Sequence, residues 1–155
     1  MNETPRRLTS TEGHAWRSFI RMQDRLNGRL ARELQAHSNL SAADYGVLVN
    51  LTDIPDGRLR FLELAKAVEW EKSRMSHHIV RMAKRGLVVR EECPDDGRGA
   101  FVSITPAGRE AIAAATPRHV EAVRRLAIDH LTPEEISVLG RISDRILEQL
   151  EKDPC

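Results

Sequence analysis

Aromatic side chains are scarce in this chain, with two Trp, one Tyr and three Phe among 155 residues. Its core must be filled mostly by Leu, Val, Ile and Ala, so the spacing of those residues carries most of the information on fold. Cysteine is scarcer still: there are two, one of them Cys155. That excludes a disulfide framework and makes a reducing cytoplasm the expected compartment. No apolar run approaches the length that crosses a bilayer, and the polar start MNETPRRLTSTEG lacks a signal-peptide core, so no membrane partner is expected. Charge of a single sign is missing as well, since 24 Lys and Arg meet 23 Asp and Glu for a net charge of +1. No internal repeat or low-complexity tract is present. HExxH, CxxC and Gly-rich phosphate loops are all absent, which argues against an enzyme and against any bound cofactor. What remains is a globular composition, 41% apolar and 30% charged, of a length suited to one domain.

Against that even background the segment 70–86, WEKSRMSHHIVRMAKRG, stands apart. From Glu71 to Gly86 it carries Lys72, Arg74, Arg81, Lys84 and Arg85 against the single acid Glu71, a local charge of +4. At 100° per residue, Met75, Ile79, Met82 and Ala83 form an apolar stripe. Opposite lie Ser73, His77, Arg81 and Lys84, with Arg74 and Val80 at the edges. Hydroxyls, an imidazole and guanidinium groups on one face can donate to base edges and phosphates in a DNA major groove.

The flanking sequence gives this helix a setting. FLELAKAV, residues 61–68, has helical spacing, and Glu69-Trp70-Glu71 is a three-residue turn between two helices. Gly86 stands where a helix end takes a left-handed residue, with Leu87 placed to touch Met82. Two β-rich runs, 87–93 and 100–104, enclose the tip Pro94-Asp95-Asp96-Gly97-Arg98-Gly99 and predict a hairpin, to which Arg58-Leu59-Arg60 can add a third strand. Thr105-Pro106 then opens another helix. The order helix, turn, helix, hairpin is that of a winged helix-turn-helix, so the predicted fold is mostly α with a β wing.

Outside this lobe the chain is helical. Residues 1–11 read as a tail. Beyond it Trp16, Phe19, Ile20, Leu26, Leu30 and Leu34 trace one face of a long helix, and Arg17, Arg21, Arg25 and Arg29 recur on another. Ser41 and Asp44 form a capping box with Leu40 and Tyr45 as its staple. Residues 106–131 are helical in pattern, with a kink or restart expected at Pro117. Thr132 and Glu135 form a second capping box before Ile136, Leu139, Ile142, Ile146 and Leu150. The single domain therefore divides into a DNA-binding lobe, 41–105, and two dimerisation segments, 12–38 and 106–151. A small winged-helix core cannot cover both terminal apolar faces, and burying them against a second copy predicts a two-fold homodimer.

From about Glu12 to Leu150 the chain resembles the MarR (multiple antibiotic resistance regulator) family. Gly86, Asp96-Gly97-Arg98, Ile104-Thr105 and Gly108 stand in the order and register of that family's pattern. The resemblance implies a transcriptional regulator, in the usual case a repressor, that binds a palindromic operator in double-stranded DNA. It implies that Ser73, Arg74, Ser76, His77 and Arg81 meet bases or phosphates and that Lys72 and Lys84 contact the backbone. It makes Arg98 a minor-groove finger held by Asp96. It further implies a pocket for a small aromatic or lipophilic effector, for which Trp16, Phe19, Tyr45 and Trp70 are the candidate lining. His77 departs from the pattern, where arginine is frequent, and so does Val80, often polar in relatives; both bear on which bases are read. Cys93 is expected to be buried and inert. Two alternatives stand beside this reading. One is a zinc-sensing regulator using His14, His37, His119 or His130 with nearby acids. The other is a winged-helix interaction module without DNA.

Overall fold

The computed structural model describes residues 4–92 and 99–153. The expected Asp96, Arg98 and Cys93 lie outside the described residues. The chain divides between His119 and Val120 into two compact units.

The first unit begins with α1 (Ser10–Ser38) and α2 (Ala42–Thr52). The start of α1 corrects the expected tail: Thr9 and Glu12 form a capping box, so the helix begins at Ser10. Asn39 ends α1 in the left-handed region at φ 52°. Ser41 and Asp44 exchange the predicted bonds, 3.0 Å from the Asp44 amide to Ser41 Oγ and 2.9 Å from the Ser41 amide to Asp44 Oδ2. Strand β1 (Arg58–Arg60) follows, then α3 (Phe61–Ala67), α4 (Lys72–Lys84), β2 (Val88–Glu92) and β3 (Ala100–Ile104). The sheet is antiparallel in the order β1-β3-β2, with Leu59 opposite Val102 and Val102 opposite Arg90. The third strand expected from Arg58-Leu59-Arg60 is therefore present.

Beneath α4 and the sheet lies one core. Val47, Leu48 and Leu51 of α2, Leu64 of α3, Met75, Ile79 and Met82 of α4, and Val102 of β3 are all fully buried. Each contributes about 1.5–3 kcal/mol through removal of its side chain from water. The wing is pinned to this core at its base. Thr105 donates from its amide to Leu87 O (3.1 Å) and from its hydroxyl to Gly86 O, and accepts from the Gly108 amide at 3.0 Å.

Helix α5 (Pro106–Leu126) runs through Pro117 without the expected restart. The proline removes one amide donor. The nearby Thr116 hydroxyl donates to Ile112 O at 2.7 Å, and Ala113, whose carbonyl the missing amide would have met, faces solvent. The second unit holds the end of α5, a 3-10 turn at Ile128–His130 and α6 (Pro133–Lys152), whose capping box is the predicted Thr132–Glu135 pair. Along α6 the residues Ile136, Leu139, Ile142, Ile146 and Leu150 remain between 39% and 61% exposed. No described helix is long and apolar enough to cross a membrane.

Candidate nucleic-acid interface

The turn between α3 and α4 is built from backbone bonds. The Trp70 amide donates to Ala65 O (2.9 Å) and the Glu69 amide to Lys66 O (3.1 Å), a Schellman ending with Glu69 in the left-handed region at φ 57°. At its other end α4 closes the same way, with Leu87 bonded to Met82 O (3.1 Å), Gly86 to Ala83 O (3.0 Å), and Gly86 at φ 77°. This is the ending read from the sequence.

Between these two stops α4 buries Met75, His78, Ile79 and Met82. The apolar stripe is thus one residue different from that expected, with His78 inside and Ala83 exposed. His78 lies three positions after Met75 and four before Met82, so its spacing alone placed it on the buried face. Lys72, Ser73, Arg74, His77, Arg81 and Lys84 are exposed and Ser76 is half-buried. The structure thus puts the expected helix residues on the solvent side of one element. Its N-cap, Glu71, makes no side-chain bond to the first-turn amides, and that turn holds no acid. Amide donors and the positive end of the helix dipole there suit a phosphate.

Three of the outward residues are held from behind. The Arg74 guanidinium stacks over the Trp70 ring at 4.2 Å. Ser76 Oγ accepts from Arg90 of β2 at 3.4 Å. Arg81 Nη2 lies 3.2 Å from His78 Nδ1. Arg85, counted in the basic segment, instead turns inward. It donates to Asp44 Oδ2 at 2.7 Å and to Asn39 O at 2.6 Å, so its charge is spent within the fold.

Asp44 and His78 form the buried centre that sequence reading missed. His78 Nε2 lies 2.9 Å from Asp44 Oδ1, at ion-pair distance but off the line of a full hydrogen bond. The two residues are 8% and 3% exposed. Burial works to raise the Asp44 carboxyl, yet the Arg85 bond and the Ser41 amide outweigh it, leaving it below its ordinary range. Burial lowers His78, and Arg81 and Arg74 add to that effect against the opposing pull of Asp44, so the ring is neutral at pH 7. The only sequence signal for this pair was the place of His78 on the apolar face; its partner stands 34 positions away in the chain.

The four aromatic residues expected to line one pocket fall in three places. Trp16 and Phe19 pair with each other on α1, ring centroids 5.9 Å apart. Trp70 meets His78 edge-on at 5.2 Å. Tyr45 packs on His119 at 4.6 Å, and its hydroxyl shares a 3.2 Å bond with Thr116. Tyr45 borders an open groove between α2 and α5, walled by Val49, Ile112 and Pro117, and Trp16 borders a separate open hollow along α1 with Ile20 and Arg21. Among the described residues, no three His, Cys, Asp or Glu side chains converge as a metal site would require.

Comparison with known proteins adds to this geometry. The MarR family model matches residues 38–99. AbsC, a MarR family transcriptional regulator from Streptomyces coelicolor, is 40% identical over 96% of this chain and 100% of its own, with a TM-score of 0.89. Sco3205, a MarR family transcriptional regulator from the same organism solved in complex with DNA, is 42% identical over 96% of this chain and 93% of its own, with a TM-score of 0.90. An HTH-type transcriptional regulator of Mycobacterium leprae is 31% identical over 81% of this chain and 88% of its own length.

Proposed function

The chain belongs to the MarR family, whose members are transcriptional regulators and not enzymes, and from that premise we propose that it is a repressor binding a palindromic operator as a homodimer. The observation that carries this reading is the solvent face of α4. Lys72, Arg74, Arg81 and Lys84 all face outward beside Ser73 and His77, on a helix whose first-turn amides have no side-chain cap. That face offers donors to phosphates and base edges together. The likeness to Sco3205, solved with DNA, supports it.

The homodimer rests on α1 and α6. Both expose apolar side chains, Trp16, Phe19 and Met22 on α1 and the Ile136-to-Leu150 row on α6. Their charges are opposite: α1 carries five Arg against three acids, and α6 five acids against three bases. Packing these helices between copies buries the apolar rows and matches the charges.

The groove of about 540 Å³ beside Tyr45 suits a small aromatic or lipophilic effector, with apolar walls and the Tyr45–Thr116 hydroxyl pair for one polar group. An effector there weakens DNA binding by changing the spacing of the two α4 helices, with a coupling of about 1–3 kcal/mol that operator DNA returns equally.

Affinity selection of random duplexes by the purified protein tests the reading. Enrichment of an inverted repeat supports it. Recovery of no sequence preference, with binding no tighter than to scrambled DNA at physiological salt, overturns it in favour of an interaction module. Repeating the selected-site assay with a panel of phenols tests the groove, where Tyr45→Ala should abolish any ligand response.

A further inference from the structure

Arg81 has no acceptor atom, so the bond between its guanidinium and His78 can run in one direction only: Arg81 donates and Nδ1 accepts. The proton of the neutral ring then sits on Nε2, facing Asp44 Oδ1 at 2.9 Å. Asp44 is itself fixed, because its other oxygen takes both the Ser41 amide and Arg85. A carboxylate anchored in α2 therefore faces the protonated nitrogen of a buried ring in α4, while the other nitrogen holds an exposed arginine on the same helix. Trp70 limits rotation of the ring by meeting it edge-on at 5.2 Å.

We propose that His78 is a positioning residue for DNA binding: oriented by Asp44, it holds the Arg81 guanidinium on the outer face of α4, and a second proton on the ring releases Arg81 and weakens binding. This rests on the reading of α4 as the DNA-contacting helix. Adding a proton at Nδ1 replaces an acceptor with a donor 3.2 Å from a cation, so the bond is lost and repulsion takes its place. The charged groups facing the ring are Asp44 from α2, and Arg81 and Arg74 from α4. Asp44 favours the added proton, while the two arginines and burial oppose it. The ring therefore accepts it only on acidification. His77 is a second imidazole, exposed at the neighbouring position of the same helix, so the DNA arm of the test removes it.

The test has two arms. Without DNA, the His78 ring is titrated by NMR in the wild type and in Arg81→Ala. Loss of the cation and its bond should move the titration to higher pH. An unmoved titration shows that Arg81 does not engage the ring and overturns the proposal. With DNA, the probe is the duplex enriched from a random pool by the wild-type protein, measured in a His77→Gln background. Affinity should fall about tenfold or more, the size of one bond to a charged group, as pH drops from 7.5 through the range in which the NMR arm shows the His78 ring taking its second proton. His78→Leu, with its folding checked by thermal melting, should show a similar loss already at pH 7.5. That loss should not add to the loss in Arg81→Ala, and His78→Gln, which keeps a donor and an acceptor, should recover part of it with no pH step. Additive losses, or a step that persists in Arg81→Ala, overturn the positioning role. A protein that enriches no duplex overturns the DNA reading, while the titration arm still decides the contact.

Discussion

Gly108 sits one turn into α5, where alanine would ordinarily be the better residue by about 1 kcal/mol. A Cβ at this position would overlap the carbonyl oxygen of Leu87 and crowd Ile104 Cγ1. Overpacking of that kind costs about 1–3 kcal/mol. Gly108→Ala should therefore lower stability to urea despite its better helix propensity, and an unchanged midpoint would show that the backbone yields. Asp44 and His78 give the residue scale its pH dependence. The folded His78 sits below its ordinary 6.5, so its share of stability is present above that value and is lost as pH falls toward the folded one. Asp44 sits below its ordinary 3.8, and its share is lost further down, as pH falls through its own folded value. Thermal melting across pH should show both losses on the acid side, and His78→Gln should remove the upper one.

At the scale of elements, features whose causes lie within a few residues were open to sequence reading. The Ser41–Asp44 and Thr132–Glu135 boxes, the Gly86 ending and the short β1 all form as expected. The Thr9–Glu12 box has the same pattern but escaped notice because no apolar run directly follows it. Pro117 brings no restart, because one lost amide at an exposed position is a smaller defect than the rule for helix interiors implies. The fate of Arg85 and His78 depended on Asp44, a partner dozens of residues away, which no local pattern exposes. These placements sort the candidate contacts on α4. Arg74 and His77 lie on the exposed face of α4 that is proposed to enter the major groove, so replacing either with Ala should cost about 1–3 kcal/mol on the selected site and much less on scrambled DNA. Lys72→Ala and Lys84→Ala should weaken both alike and flatten the salt dependence by about one counterion each. Filter binding across a salt series separates the two patterns, and the reverse assignment would exchange the roles.

For the molecule as a whole, sequence spacing identified the apolar rows of α1 and α6, but their proposed cover is a second chain, which lies outside any reading of one. Leu139 and Ile146 remain 43% and 50% exposed on α6. Replacing both with Glu leaves a solvent-exposed helix in the monomer essentially untouched but places unpaired charge in the proposed interface. Light scattering should then show monomer, with operator binding lost. A dimer of unchanged mass would move the interface to another surface.

The clasp at the base of the wing also has a consequence in time. Thr105 ties the end of α4 to the start of α5 through Gly86 and Leu87, and the Gly108 amide closes the loop on the Thr105 hydroxyl. These bonds are linked, since each shares an atom or a neighbour with the next. The amides of Leu87, Thr105 and Gly108 should therefore exchange with deuterium as one group, at the slow rate set by global unfolding. Thr105→Val should release the Gly108 amide to faster exchange and carry Leu87 with it. Exchange of Gly108 alone would mean that α5 can move at its origin without disturbing α4.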